Sequence, residues 1–591
     1  MPKSRVAVRP YALFAACGLA LTAASAALGQ GDPLSEPFPA VLELADLDGV
    51  IGFRIDGEVR DGFTGVNVAS AGDVNGDGID DMLIGSQVAP GESYVVFGRD
   101  AIAGPGFPSV LQLGDLDGVT GFRIGGVERQ SAGYSVASAG DFNGDGIDDL
   151  VIGAHGASPG GRYRAGTSYV VFGSDSGFPA TFRLADLNGT NGFRLDGDEE
   201  ETHSGYRVAR AGDINGDGIG DVIIGARRSY PFGNDLPGLA YVVFGRDPSS
   251  AFPAVLQLGD LDGETGFRLN GTDAGDYFGV NIASTGDMNN DGVDDLIIGA
   301  TGTDPGGREN AGTSFVVFGR DTASTGGFPP VFEMSSLVGS EGFRIEGAAA
   351  FDTSGRPVAH AGDVNGDGID DVVVSARGAD PGGRRSAGSS YVVFGRDTTD
   401  PFPAALQLVD LDGVRGVRIE GVDSGDFAGE PVASAGDVNG DGLDDLIIGT
   451  TYYTATSYVV YGRDTSGGGF PAVIPLADID GEIGFRLDGI ARAVAPAGDI
   501  NNDGVDDFMV ASPSSDPGGR EDAGSTYIIY GRKLTFCPPD LDGDGELTIF
   551  DFLTFQNLFD LMDPRADFDG DGDLTIFDFL AFQNAFDAGC P

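Results

Sequence analysis

Asp73-Val74-Asn75-Gly76-Asp77-Gly78-Ile79-Asp80-Asp81, followed directly by Met82-Leu83-Ile84-Gly85, decides the reading of this chain. The acidic nonapeptide returns at Asp141, Asp213, Asp287, Asp363, Asp437 and Asp499, at intervals of 62 to 76 residues. Five positions never change: Asp at 1, Asn at 3, Asp at 5, Gly at 6 and Asp at 9. Side-chain oxygens at alternate positions of a tight loop converge, and glycine permits the turn that brings them together. Hard oxygen donors without Cys or His suit Ca²⁺ better than a transition metal. The alternative is seven metal-free Asn-Gly or Asp-Gly hairpin turns. Turn chemistry alone does not need three carboxylates, which repel one another without a cation.

The expected ligand sets are Asp73, Asn75, Asp77 and Asp81; Asp141, Asn143, Asp145 and Asp149; Asp213, Asn215, Asp217 and Asp221; Asp287, Asn289, Asp291 and Asp295. The remaining three are Asp363, Asn365, Asp367 and Asp371; Asp437, Asn439, Asp441 and Asp445; Asp499, Asn501, Asp503 and Asp507. The position-7 backbone carbonyls of Ile79, Ile147, Ile219, Val293, Ile369, Leu443 and Val505 complete them.

Four short apolar runs surround each loop. One precedes it (Val66 to Ser70), one follows it (Asp81 to Gly85), and one comes about 20 residues on (Tyr94-Val95-Val96-Phe97-Gly98). The fourth, Gly52-Phe53-Arg54-Ile55, recurs at Gly121, Gly192, Gly266, Gly342, Gly416 and Gly484. Aromatic and β-branched runs closed by glycine read as buried strands. Four strands per repeat and seven repeats predict an all-β fold, a seven-bladed β-propeller of four-stranded blades, over residues 30–533. The first Gly-Phe-Arg run precedes the first loop, and no eighth follows Tyr527 to Gly531. The N-terminal strand is therefore expected to complete blade 7 and close the ring, which removes two exposed sheet edges.

The repeats resemble FG-GAP repeats of the integrin α-chain propeller family. Tyr277-Phe278-Gly279 matches the first element, Ile298-Gly299-Ala300 the second, and the Asp287 loop between them that family's calcium loop. The third signature residue departs, since Pro survives only at Ser512-Pro513. The resemblance implies a propeller that binds calcium and works as a binding or adhesion module. The family's ligand specificity lies in variable loops and does not transfer.

The tail reads as a second, small α-helical domain over 534–591. Asp540, Asp542, Asp544, Glu546 and Asp551 have EF-hand loop spacing, repeated by Asp567, Asp569, Asp571, Asp573 and Asp578. In each set the fourth residue offers its backbone carbonyl. Each loop leads into a helix-like segment, Phe550 to Phe559 and Phe577 to Phe586. With Asp at loop position 12, the two units resemble a dockerin, and Gly589-Cys590 resembles the GC-type dockerin-like ends of secreted bacterial proteins. That implies a cohesin-like or surface-anchoring partner and two further Ca²⁺ ions. Loop positions 10 and 11, Ile549-Phe550 and Ile576-Phe577, depart from the cellulosomal pattern. Cys537 and Cys590 bracket the unit and are expected to form a disulfide, worth roughly 4 kcal/mol on the chain-entropy view.

Residues 1–29 read as a secretory signal: Lys3, Arg5 and Arg9, then apolar Ala12 to Gly29, with cleavage expected after Gly29. This points to a secreted or cell-surface location, with no membrane span in the mature chain. The formal net charge is −56, and −59 without that segment. Such acidity excludes nucleic acid as a partner. Nine Ca²⁺ ions would still leave about −41.

No activated nucleophile or separate acid/base pair is evident, so the chain is expected not to be an enzyme. The alternatives are a polymer-degrading enzyme on a propeller scaffold, which a central-channel cluster of unshared polar residues would favour, or a structural matrix protein. His155, His203 and His360 read as solvated loop or strand-end residues. Four repeats share a Pro-Gly-Gly-Arg turn, at Pro159, Pro305, Pro381 and Pro517. Repeat 2 adds Tyr163 and Arg164 after Arg162, and repeat 3 instead has Arg227, Arg228 and Tyr230; these six are a candidate face for a protein or glycan ligand, since Arg and Tyr dominate binding surfaces.

Overall fold

The computed structural model describes residues 37–533, apart from 88–90, 102–103, 128–129, 228–236, 452–455, 466–468 and 490. In the tail it describes 549–560, 566, 568 and 575–588. Residues 1–36, Arg228, Tyr230, Cys537 and Cys590 lie outside this set, as do Asp540, Asp542, Asp544, Glu546, Asp567, Asp569, Asp571 and Asp573.

Phe38–Gly531 is one compact unit of seven sheets. Blade 1 shows the plan. Its inner strand, Val68–Gly72, is antiparallel to Asp81–Ser86, which pairs with Glu92–Val96, which pairs with Gly121–Gly125. The inner strand carries the small residues Ala69, Ser70, Ala71 and Gly72, because seven such strands crowd round one axis. The second strand is buried at every residue, since both faces of a blade pack on neighbouring blades. The core clusters accordingly run between blades, as where Phe267 and Leu269 of blade 3 meet Ile298 and Phe315 of blade 4.

Each blade has five strands, not four. The fifth is a three-residue outer strand, parallel to the fourth, and it comes from the following repeat: after the third strand of blade 2, Thr181–Arg183 crosses to pair with Gly121–Gly125 of blade 1, and the chain then returns to blade 2 as Gly192–Asp196. In six blades a phenylalanine just ahead of the outer strand stacks on the fourth-strand phenylalanine it covers; in blade 5 the fourth strand has Val417 there instead. Ring centroids are 4.1 Å apart for Phe178 on Phe122 and 4.3 Å for Phe328 on Phe267. Three residues are too few for a periodic signal, so this strand was invisible to a search for apolar runs.

The ring closes through the N-terminal segment, as expected, but at two places. Gly52–Asp56 is the fourth strand of blade 7, antiparallel to Ser525–Ile529. Val41–Glu43 is the outer strand of blade 6, parallel to Gly484–Asp488, with Phe38 stacked on Phe485 at 4.2 Å.

The tail is a separate unit. It contains helices Ile549–Asp560 and Ile576–Ala588. Phe555 stacks on Phe582 at 4.4 Å, and Leu558 and Ala566 are buried with them. Among the described residues, no helix is long and apolar enough to cross a membrane.

Acidic loops and the mouth of the central channel

All seven acidic loops join an inner strand to a second strand, so they share one end of the propeller. Loop 1 is held by its own carboxylates. Asp73 accepts from the amides of Gly76 (2.7 Å), Asp77 (3.0 Å) and Gly78 (2.7 Å), and Asp77 accepts from Ile79 (3.1 Å). Asp81 is fully buried, as are Asp149, Asp221, Asp295, Asp371, Asp445 and Asp507. It accepts from Val74 (3.1 Å) and from Gly98 (2.8 Å), the glycine that closes the third strand. The Phe-Gly signature and the loop are therefore one device: a Cβ at residue 98 would meet the Asp80 carbonyl at 2.3 Å. Burial pushes the Asp81 carboxyl up to about 8, and the like charges of Asp77 and Asp73 add to this against the pull of the two amides.

Among the described residues, no three His, Cys, Asp or Glu side chains are grouped closely enough to hold a metal. The loops nevertheless carry unspent donors. Oδ1 of Asn215, Asn289 and Asn501 is buried without a hydrogen-bond partner, while Nδ2 of each donates to the position-9 aspartate. A buried orphan carbonyl oxygen beside two carboxylates fits a hard cation.

Position 8 escaped the sequence reading. Its aspartate reaches the next loop round the ring and accepts the amide of that loop's first residue. Asp148 takes Asp73 (3.1 Å), Asp294 takes Asp213 (2.7 Å), and Asp370, Asp444, Asp506 and Asp80 take Asp287, Asp363, Asp437 and Asp499. This explains the glycine before each loop. Gly72 has φ +70°, and a Cβ there would lie 2.1 Å from Asp148 Oδ2. One staple of the seven is missing, because position 8 of loop 3 is Gly220, and Arg210 lies beside Gly140 instead. Gly220→Asp should add the seventh staple, about 1 kcal/mol, and raise the melting temperature by about 1–2 °C. A lower melting temperature would show that Arg210 already does this work.

In the tail, Asp578 is buried and caps its helix. It accepts from Thr575 (2.6 Å) and from Phe568 (2.8 Å). The Thr575 amide on the Asp578 carboxylate is one half of a capping box.

The turns that join second and third strands lie at the opposite end. There Arg162 is committed to its own blade: it donates to the Gly197 carbonyl (2.9 Å) and to Gln257 of the outer strand (2.7 Å). Arg308 and Arg520 repeat this clamp. Tyr163 is 52% exposed, with the Arg164 guanidinium 5.3 Å over its ring. Arg227 turns inward and donates to the Tyr206 hydroxyl at 3.0 Å.

Tyr206 belongs to a cluster that the sequence did not bring together. The rings of Tyr134 and His155 lie 4.8 Å apart, Tyr134 and Tyr206 5.4 Å, and His155 and His203 6.1 Å. Arg207 lies over both tyrosines. His155 is thus packed rather than solvated, and its Nδ1 is buried without a partner. His360 fits the expectation, being exposed and bonded to Asp370 at 3.0 Å, and His203 is a half-buried loop residue. Burial, helped by His203, Arg207, Arg164 and Arg227, pushes the His155 imidazole down to about 4. The unfolded chain therefore takes up a proton near pH 6.5 that the folded chain refuses until about pH 4, and stability falls as the pH drops through that window. In His155→Gln this part of the acid-side decline in melting temperature should disappear.

Five stretches of the chain match the FG-GAP repeat family: residues 132–171, 278–317, 357–393, 431–467 and 491–529. Integrin alpha-5 of Xenopus laevis is 30% identical over 237 residues, 38% of this chain and 20% of that protein. Integrin alpha-V of Gallus gallus is 30% identical over 252 residues, 41% of this chain and 20% of that protein. Phosphatidylinositol-glycan-specific phospholipase D of Mus musculus is 31% identical over 180 residues, 30% of this chain and 19% of that protein. The chain spans about a fifth of the length of these curated relatives. It is a seven-bladed β-propeller of FG-GAP repeats, similar over part of its length to integrin alpha chains.

Proposed function

We propose that this chain is a secreted, calcium-binding propeller that serves as a binding or adhesion module, attached to a partner through its dockerin-like tail. The observation that carries the reading is a contrast between the two ends of the ring. The acidic loops are nearly identical in all seven blades, as a scaffold requires. The opposite mouth gathers side chains that differ from blade to blade. In each loop the carboxylates at positions 1, 5 and 9, the Asn Oδ1 and the position-7 carbonyl would hold one Ca²⁺. The ion would offset the repulsion of buried carboxylates, and the chain itself contributes the rigid turn. The similarity to integrin alpha chains and the signal-like N-terminus support an extracellular place of action. A screen of the mature chain against glycan and protein arrays in calcium tests the reading, and binding to neither would sink it.

A second reading rests on the Tyr134–His155–His203–Tyr206 cluster, which is a set of unshared polar residues at the channel, and on the similarity to a phospholipase D. On that reading the propeller is an extracellular polymer-degrading enzyme. New chain ends released from an array-positive polymer, and lost in His155→Gln, would establish it.

For the tail, the paired loops and the Phe555–Phe582 core argue for folding coupled to Ca²⁺. Segment 534–591 should gain helix in circular dichroism as calcium is added, more so with Cys537 and Cys590 oxidised. A spectrum unmoved at saturation would remove the basis for a cohesin-like or surface-anchoring partner.

A further inference from the structure

At the mouth of the central channel lies a cavity of about 530 Å³. Its walls come from the beginnings of the inner strands and the turns beside them. The residue seven before each acidic loop, at or near the start of the inner strand, is Val66, Tyr134, Tyr206, Val280, Arg356, Glu430 or Arg492, from blade 1 to blade 7. Below this ring the strands converge on small residues such as Val-Ala-Ser-Ala-Gly. Repeats that agree in the scaffold and disagree at one ring of positions have been specialised there.

The charge at this ring runs against that of the molecule. In a chain of net charge −56, the cavity is lined by Arg207, Arg227, Arg356 and Arg492. Glu430 is the one carboxylate among its described lining residues. That carboxylate is already matched, by Arg356 at 3.1 Å and by Arg377. Arg207 and Arg492 have no carboxylate within ion-pairing distance among the described residues, and Arg492 is exposed. The cavity therefore holds uncompensated guanidinium groups, the donors best shaped for a carboxylate.

The rest of the wall narrows the ligand further. Tyr277 offers an exposed ring, and Asn281, Asn310, Thr301 and Thr353 offer amides and hydroxyls. Ring faces beside hydroxyl-bonding groups suit a sugar ring, and the volume suits one or two such rings better than an extended peptide. We infer that the channel mouth is a binding site for an acidic saccharide, with uronate carboxylates on Arg207 and on Arg492. This rests on the binding-module reading and supplies its ligand class.

The test is calorimetric titration of the mature chain, in calcium, with trigalacturonate and with trimannuronate. At least one should bind, and its methyl ester, of nearly the same shape but neutral, should bind at least 10-fold more weakly. Arg207→Gln/Arg492→Gln should lose at least 10-fold while keeping its melting temperature, and Arg183→Gln, exposed on an outer strand, should bind as the parent does. If the double variant is unstable, Arg492→Gln alone should still weaken binding, since an exposed side chain bears little on folding. Equal binding of acid and ester, or unchanged binding by the variants, would overturn the site. Tight binding of hexaglutamate with the same arginine dependence would reassign it to an acidic peptide. A neutral glycan or protein from the arrays, bound while both uronates fail, would leave the module reading standing and overturn this one. Failure of every probe would end both.

Discussion

Removal of residues 30–57 is expected to abolish the cooperative unfolding of the propeller. The segment supplies the fourth strand of blade 7 and the outer strand of blade 6. It also buries Phe38, Leu42, Leu44, Phe53 and Ile55. At about 2 kcal/mol for each large side chain, those five contribute on the order of 10 kcal/mol, as much as the whole margin of an ordinary domain. The deletion would leave the third strand of blade 7 and the fourth strand of blade 6 unpaired on their outer sides, an invitation to edge-to-edge aggregation. Size-exclusion chromatography and differential scanning calorimetry of the shortened chain decide the matter. A monomer as stable as the parent would refute the closure. Phe53→Ala asks the same question of one side chain and should cost about 3–5 kcal/mol, because the residue is fully buried and stacked on Phe107 at 4.2 Å.

Chelation of calcium is expected to lower the melting temperature by tens of degrees. The size follows from number: seven loops each hold a buried aspartate close to two other carboxylates of the same loop, as Asp221 stands to Asp217 and Asp213. Binding at [Ca²⁺] of 100 times Kd contributes about 2.7 kcal/mol per site, and seven sites compound this. EDTA in low-calcium buffer should also broaden the transition, since the position-8 staples pass from loop to loop and couple their losses. A melting curve unmoved by EDTA would return the loops to the status of hydrogen-bonded turns. Asp81→Asn separates the two roles. It keeps an acceptor for Gly98 but weakens the cation, so it should destabilise the chain in calcium and have little effect in EDTA.

The fold was legible because its signals repeat. An apolar run that comes once is ambiguous, but Tyr-Val-Val-Phe-Gly recurring in step with an acidic loop is not. The phase of Gly52-Phe53-Arg54-Ile55 gave the closure of blade 7 directly. The outer strand was missed because Val41-Leu42-Glu43 and its counterparts have three residues, and parallel pairing to another repeat leaves no local trace. In the loops, the invariant positions were visible and their division of labour was not. Asp80 and Asp81 are adjacent in sequence, yet one binds the neighbouring blade and the other its own third strand. At the mouth, Tyr134 and His155 meet across the hairpin of Ser135–Gly140 and Asp149–Ala154, and the ring adds Tyr206 from the next blade. Arg162 looked like a ligand residue by composition, but its guanidinium is spent on Gly197 and Gln257.

The parallel outer strand has a consequence for how such a ring can change in size. The register of the pairing is the same in every blade: Arg54 opposite Val110, Arg194 opposite Val255, Arg344 opposite Ala405, Arg418 opposite Val473. Any repeat can therefore lend its strand to any predecessor. Loss or duplication of one whole repeat in the gene joins two segments whose strand registers already fit, and the change falls on the inter-blade packing at that joint. A rearrangement that begins or ends elsewhere leaves one blade short of an edge. Rings of six or eight blades are thus one recombination away, while the mouth residue that each repeat carries enters or leaves with it as a unit.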